Sequence, residues 1–484
     1  MDAEQHLPYI YTCLPDPPVY HTARLATRRA APNHGVDRIS GLSDALLHDI
    51  VSRLPFKDAA RTAVLATRWR RVWLSAPLVV VDNHLLDHWP PARADTRAVT
   101  AAVSSALAAH PGPFRCVYLV SSHMDGYQAQ LKRWLRLLAA KGVQELVLVN
   151  RPCPREVPLP STLFRIATLT HLYVGVWKFP DAACLGDASF PNLRELGIFS
   201  VAMENGDIEA VVARSPILEI LNIQGGVKGL GLHLISQSLR CVQVCDSVIE
   251  NIVVVDTPRL ERLILYKVRG SLNPASVLRT GIKIGYAPKL DVFGYLEPRK
   301  YVLQVGDAII MPGMKPTAST MFTSVTILSL NVRFGAHDDA NMVATFLKCF
   351  PNASSLHIRC EQCDEPTGKF EPKFWEEVGP IVSVMLRIGV MTIREFRGED
   401  GEMAFLKYFF TNAMTLKYVA IIFPNPSVSS ISKNYACSKI SYLTSLKWAT
   451  KGCVFMVYGS SDPEGGRPWC FKTGAEFSRD PFSW

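Results

Sequence analysis

Five stretches decide the fold. They are Leu169-Thr170-His171-Leu172-Tyr173-Val174, Leu193-Arg194-Glu195-Leu196-Gly197-Ile198, Leu218-Glu219-Ile220-Leu221-Asn222-Ile223, Leu239-Arg240-Cys241-Val242-Gln243-Val244 and Leu260-Glu261-Arg262-Leu263-Ile264-Leu265. All follow L-x-x-[LV]-x-[LIV], and their starts lie 24, 25, 21 and 21 residues apart. Weaker copies start at Val143, Leu290, Val325 and Ala353. Alternation predicts a short strand, and the steady period predicts a return of the chain to the same side. One such unit cannot bury its apolar face alone, so the units must stack. The expected architecture is α/β, an irregular solenoid with a parallel sheet along one side.

A period of 20–29 residues of this kind is the signature of leucine-rich repeats. Strand residues alternate between faces, so the side chains between the leucines point to the concave side. That places His171, Tyr173, Glu195, Asn222, Gln224, Gln243, Arg262 and Tyr266 there, as candidate substrate contacts.

Outward from the repeats, composition excludes several classes. The chain has 484 residues, 48% of them hydrophobic and 20% charged, which fills a sizeable core and argues against a largely disordered protein. No apolar run approaches the roughly 18 residues of a transmembrane helix. The net charge is +9 without a run of five Lys or Arg, so no phosphate-tracking patch is expected and no nucleic-acid partner. Residues 1–36 lack a basic start followed by an apolar run and read as a flexible leader, not a secretory signal. The 12 cysteines are irregularly spaced, which suits a reducing compartment, with cytoplasm and/or nucleus as the expected location.

Residues 37–73 form a helical block. Leu46, Leu47, Ile50, Val51 and Leu54 make one apolar stripe, Ser43 stands at the N-cap and Pro55 stops the helix. Asp58 is placed to cap a second helix, Ala59–Leu65, and Trp69 and Trp73 share a face of a third. So small a block with surplus apolar surface either docks on a partner or packs on its own chain.

This block resembles the F-box of plant F-box proteins with leucine-rich repeats. The resemblance rests on Asp37-Arg38-Ile39-Ser40, Leu42-Ser43-Asp44-Ala45-Leu46-Leu47, Leu54-Pro55, Lys57-Asp58 and Arg68-Trp69-Arg70-Arg71-Val72-Trp73. Ser43 departs from the family's proline, and Ala66 from its helix-capping serine. Further on, Phe374-Trp375-Glu376-Glu377, Arg394-Glu395-Phe396-Arg397-Gly398 and Glu402-Met403-Ala404-Phe405-Leu406 resemble the FBD domain, a C-terminal module of such proteins. The expected order there is strand, turn at Gly398–Gly401, helix Glu402–Asn412 and strand 416–423, capping the repeats. The domain plan is therefore leader 1–36, F-box 37–80, leucine-rich repeats 100–365, FBD 370–440 and an unassigned tail 441–484.

Catalytic motifs are missing from the sequence. It contains no G-x-x-x-x-G-K-[ST], H-E-x-x-H or G-x-S-x-G. Gly225-Gly226-Val227-Lys228-Gly229-Leu230-Gly231 reads as a repeat turn rather than a phosphate cradle, and His357-x-x-Cys360-x-x-Cys363 falls one ligand short of a structural zinc site. No cofactor, metal or catalytic residue is expected. The resemblance implies a substrate-recognition subunit of an SCF-type (Skp–cullin–F-box) ubiquitin ligase. The F-box would dock on a Skp-family adaptor, and the repeats would hold an unidentified protein target. The residues implied for docking are Leu42, Leu46, Leu47, Ile50, Leu54, Pro55, Val64, Leu65, Trp69 and Trp73. A scaffold acting outside any ligase is the alternative, which Ser43 and Ala66 keep open.

Overall fold

The structure is a computed structural model of the 484-residue chain. It describes residues 3–19, 39, 41–86, 96–151, 157–180, 185–186, 188–226, 229–270, 280–298, 300–362, 373–425, 433–460 and 469–483. Two compact units divide the chain, Met1–Val227 and Lys228–Trp484.

The first unit opens with α1 (Ala3–Cys13), followed by the short helices α2 (Asp44–Ser52), α3 (Phe56–Thr62) and α4 (Thr67–Ser75). Its sheet is parallel and runs β1 (Leu78–Val81), β2 (Phe114–Leu119), β3 (Glu145–Val149), β4 (His171–Gly175), β5 (Glu195–Phe199) and β6 (Ile220–Gln224), each paired with the next. Helices α5 (Thr96–Ala109), α6 (Gln128–Ala140) and α7 (Asp207–Ala213) lie in the returns between strands. Leu131, Trp134, Leu135 and Leu138 recur at helical spacing on α6 and are buried, and Trp134 Nε1 donates to Ser104 Oγ of α5 at 3.1 Å. The leader departs from expectation: Leu7, Ile10, Cys13 and Val19 are buried, so part of it packs as core. Leu7, Ile10 and Cys13 recur along α1, and apolar side chains gain more from burial than from water.

In the second unit, one parallel sheet runs β8 (Cys241–Cys245), β10 (Arg262–Tyr266), β12 (Val292–Leu296), β15 (Ile327–Val332), β16 (Ser355–Cys360), β17 (Val390–Arg394), β18 (Tyr418–Phe423) and β19 (Val454–Gly459). A second sheet is built from the returns: β7 (Leu230–Ile235), β9 (Ile249–Asp256), β11 (Thr280–Tyr286) and β13 (Tyr301–Val305) pair in parallel, and β14 (Ala308–Ile309) closes it antiparallel. β-Branched runs such as Ile252-Val253-Val254-Val255 favour strand over helix there. Helices α8 (His337–Cys349), α9 (Phe374–Glu377), α10 (Val382–Leu386), α11 (Asp400–Asn412), α12 (Lys433–Ser445) and α13 (Phe471–Ala475) complete the unit. The strands β17 and β18 of the FBD-like segment continue the register of β16, so this segment lengthens the sheet, and β19 lies beyond it.

The leading leucines of the repeat, Leu169, Leu193, Leu218, Leu239 and Leu260, are all fully buried. Truncating such a side chain to alanine costs on the order of 2–5 kcal/mol. Each repeat strand also ends in the same way. The residue after β4, β5, β6, β8 and β10 has a positive φ: Val176 (63°), Ser200 (49°), Gly225 (69°), Asp246 (41°) and Lys267 (52°). This corner turns the chain off the sheet, and at Val176, Ser200 and Asp246 the N–H stays on the ladder. Val176 N donates to Phe199 O and Asp246 N to Tyr266 O, both at 2.8 Å. A non-glycine residue in this region costs roughly 1–2 kcal/mol, which the surrounding packing offsets. Gly225 belongs to this series, so the glycine-rich segment begins as a repeat turn; Val227 and Lys228 lie outside the described residues.

Gly225→Ala should therefore lower stability by about 1–2 kcal/mol, read as the urea midpoint. A Cβ there would lie 2.4 Å from Ser200 Oγ in addition to the positive φ. Gly126→Ala, where nothing stands within 4 Å and φ is not positive, should leave the midpoint unchanged.

Candidate interaction surfaces

The helical block formed by α2, α3 and α4 has two sides. Its inner side packs on the first strand: α2 and α3 contact β1, and Pro55 bridges Val79. The Trp73 ring meets His110 edge-on at 5.3 Å, and His110 Nε2 lies 3.1 Å from Ala76 O. Leu47 and Trp69 belong to this inner side and are buried. They stand among the residues implied for docking, and their burial assigns them to the core of the block itself. Leu42, Leu54, Pro55 and Trp73 are half-buried. The outer side keeps Leu46 (52% exposed), Ile50 (37%), Val64 (85%) and Leu65 (66%) in solvent. Leu46 and Ile50 stand four apart on one face of α2, while Val64 and Leu65 sit in the turn before α4. Apolar side chains this exposed mark a contact surface more readily than a fold requirement.

Caps at the helix starts are uneven. Ser43 caps α2, its Oγ accepting from Leu46 N at 3.4 Å, and Arg68 Nε donates to Asp44 Oδ1 at 2.8 Å across to α4. The predicted Asp58 cap is not formed. The helix starts earlier, at Phe56 after Pro55, because a proline before the first turn loses no needed donor, and Asp58 pairs with Arg61 at 2.8 Å instead. Ala66 occupies the N-cap of α4 and offers no side-chain acceptor. The expected Asp37, Arg38 and Ser40 lie outside the described residues.

The predicted concave-face residues form two groups, one in each unit. In the first, Asn222 Nδ2 donates to Glu195 Oε1 at 3.0 Å, and Tyr173 also hydrogen-bonds Glu195. Burial pushes the Glu195 carboxyl and the Tyr173 phenol both upward. His171 is half-buried, its Nδ1 3.0 Å from Thr170 Oγ1, and Gln224 is buried. The leader reaches this side of the sheet: Tyr118 OH of β2 donates to the carbonyls of Pro15 and Asp16, each at 3.2 Å.

In the second unit Gln243, Arg262 and Tyr266 are buried under the chain's own tail. Gln243 Nε2 donates to Phe471 O at 2.9 Å and Arg262 donates to the carbonyls of Gly474 (2.9 Å) and Arg479 (2.8 Å). These residues were expected as open surface, which the structure corrects. The tail was missed because its contacts lie more than 200 residues away in sequence. In the His357-x-x-Cys360-x-x-Cys363 segment, His357 is bound to Asp480 at 2.8 Å, Cys360 is buried, and Cys363 lies outside the described residues. Among the described residues, no group of three or more His, Cys, Asp or Glu is placed to hold a metal, and no helix is long and apolar enough to cross a membrane.

The Glu395-Phe396-Arg397-Gly398 motif is explained by two carboxylates. Glu395 (φ 54°) joins Arg359 at 2.7 Å to Arg397 at 3.2 Å. Glu402, in the first turn of α11, accepts three backbone N–H groups, from Arg397 (3.0 Å), Gly398 (2.7 Å) and Glu399 (3.0 Å). The turn is thereby wound onto one oxygen. Burial pushes the Glu402 carboxyl up to about 7.

Comparison with known proteins adds to this geometry. A family model for the leucine-rich repeats of the FBD-associated F-box protein At5g56370 matches residues 131–358. The F-box domain model matches 39–80 and the FBD model 376–421. The F-box/FBD/LRR-repeat protein At1g51370 of Arabidopsis thaliana is 24% identical over 453 residues, 88% of this chain and 97% of its own length. At1g13570, of the same description and organism, is 24% identical over 66% of this chain and 76% of its own length. At1g78750, likewise, is 29% identical over 40% of this chain and 43% of its own length. An α-helical block, stacked repeats and an FBD segment define a modular protein of the kind built for protein interaction. The chain carries F-box, leucine-rich-repeat and FBD segments, and the relatives it resembles over most of its length are F-box/FBD/LRR-repeat proteins. F-box domains in general bind Skp-type adaptors, leucine-rich repeats in general bind proteins, and members of such families are in general non-catalytic.

Two expectations follow. Glu402→Ala should cost about 2–4 kcal/mol by leaving three amides without their acceptor, whereas Glu402→Gln keeps an acceptor oxygen and should fold. With a carboxyl raised in the folded state, wild type should gain stability from this group as pH falls from about 7 towards its ordinary value, and lose it as pH rises. Urea titrations at several pH values should show that slope flattened in Glu402→Gln. Separately, Ala66→Ser should raise the midpoint by about 1 kcal/mol through a new cap on α4.

Proposed function

We propose that this chain is the substrate-recognition subunit of an SCF-type ubiquitin ligase. The F-box docks on a Skp-family adaptor and through it on a cullin, and the repeats hold a protein target for ubiquitination. The observation that carries the reading is the exposure of Leu46, Ile50, Val64 and Leu65 on a block whose opposite side is already satisfied by β1. No catalytic residue is needed on this chain. Holding the target near a ubiquitin-charged enzyme raises the effective concentration of the reacting groups. The free thiols Cys116, Cys349, Cys360, Cys453 and Cys470 support work in the reducing cytoplasm or nucleus.

The test is co-expression and pull-down with a Skp-family adaptor. Wild type should be retained and Leu46→Asp/Val64→Asp should not, because a carboxylate on an apolar contact cannot be buried unpaired. Both positions are exposed, so the variant should keep its thermal transition. Leu47→Asp, in the core, should unfold the block instead. A wild type that fails to bind would favour the scaffold reading.

A further inference from the structure

The tail from Trp469 to Ser483 lies against the inner face of the second unit's repeats and is held by side chains from successive strands. From β8, Gln243 Nε2 donates to Phe471 O, Gln243 Oε1 accepts from Trp469 Nε1 at 3.2 Å, and Cys241 Sγ approaches Gly474 O at 3.6 Å. From β10, Arg262 reaches the two carbonyls already named, and the Phe477 ring lies 3.8 Å beneath the Arg240 guanidinium. From β16, His357 Nε2 meets Asp480 Oδ2 at 2.8 Å. From β17, Arg394 donates to Phe482 O at 3.1 Å. The Tyr295 ring meets those of Trp469 and Phe482 edge-on at 5.7 and 5.0 Å.

Three features distinguish this face from an ordinary core. First, most polar contacts go to tail carbonyls, which every peptide has. Second, the groove residues are Gln, Arg and His, side chains that water solvates well when nothing covers them. An obligate core would place aliphatic groups at these alternating positions. Third, one seat is carved for an aromatic ring: a Cβ on Gly294 would stand 2.2 Å from Phe482 Cζ, and its nearest neighbours are all atoms of that ring. Burial works against the Asp480 carboxylate, yet His357, the Phe482 N–H and Arg262 together hold it below the usual carboxylate range. The acid is therefore seated as an anion.

We infer that this face is a peptide-binding groove and that the chain's own C-terminal segment is its resident, displaceable occupant. The ligand class is a peptide carrying an acidic residue followed two positions later by an aromatic one, as in Asp480-Pro481-Phe482, with a second aromatic anchor upstream as at Trp469. Arg262 and Gln243 read its main chain, His357 its acid, and Gly294 with Tyr295 its ring. A protein target on this face then competes with the tail, so access to the repeats is set by tail release. The inference rests on the repeats binding a target, and not on adaptor docking.

The test uses the full chain without adaptor, and a fluorescein-labelled peptide of residues 469–484 as probe. Asp480→Ala/Phe482→Ala removes two tail anchors while the probe retains them. This variant should bind the probe at least tenfold more tightly than wild type. Adding Gly294→Val, which fills the ring seat, should abolish the gain. Equal binding by wild type and the loosened variant would overturn the inference. So would a loosened variant that has lost its cooperative thermal transition, since the tail would then be a fixed part of the core. Loss of adaptor binding in the pull-down leaves this result unaffected, so the two readings fail separately.

Discussion

A β-strand with one apolar face has no stable existence alone, and everything in this protein depends on that constraint. Leu169, Leu193, Leu218, Leu239 and Leu260 become fully buried only because a neighbouring strand lies in register on each side of most repeats. Parallel pairing then requires the chain to return to the same end after every strand. The left-handed corners at Val176, Ser200, Gly225, Asp246 and Lys267 begin that return, one per repeat. Their positive φ is unfavourable for the residues that adopt it. At Val176, Ser200 and Asp246 the corner amide remains on the hydrogen-bond ladder of the next strand, which helps it persist.

The same constraint explains what lies around the repeats. A first strand needs cover on its open side, and the F-box supplies some: α2 and α3 contact β1, and Pro55 bridges Val79. The block in this sense covers the repeats on one side and under the proposed function docks with the other. Its inner residues Leu47 and Trp69 serve the first role, and the exposed Leu46, Ile50, Val64 and Leu65 are left for the second. The FBD segment is likewise part of the sheet, with β17 and β18 continuing the register of β16. Its acidic turn is a backbone device, since Glu402 gathers three amides and Glu395 bridges two arginines. On the inner faces, chain ends meet polar side chains in each unit, Pro15 and Asp16 at Tyr118 and the tail at Gln243, Arg262, His357 and Arg394.

Repeats were legible because their signal is periodic. The weak copies at Val143, Leu290, Val325 and Ala353 each precede a strand, β3, β12, β15 and β16. The helix of the FBD segment was legible from its composition, within two residues at its start. The Asp58 cap failed because a proline competes for the first turn, and local propensity alone does not rank the two. The second sheet was hidden because its strands have no shared motif, only β-branched runs whose partners are set by the spacing of the repeats above them. The concave-face list did not anticipate that several of its members are buried. Alternation places Gln243, Arg262 and Tyr266 on one face, but it carries no information about what covers that face.

The sequence by itself determined the local and repetitive features of this protein: the strand period, the alternation of its faces, the α2 cap at Ser43 and the helix after Glu399. These depend on neighbours within a few residues, or on a pattern that recurs at a fixed interval. Only the tertiary structure decided which apolar residues of the F-box remain in solvent and which form its core. It alone decided that Trp469, Asp480 and Phe482 lie on the inner face of the repeats. Both outcomes rest on contacts between segments far apart in the chain. Such contacts are chosen by shape and by the pairing of buried polar groups, neither of which leaves a period in the sequence.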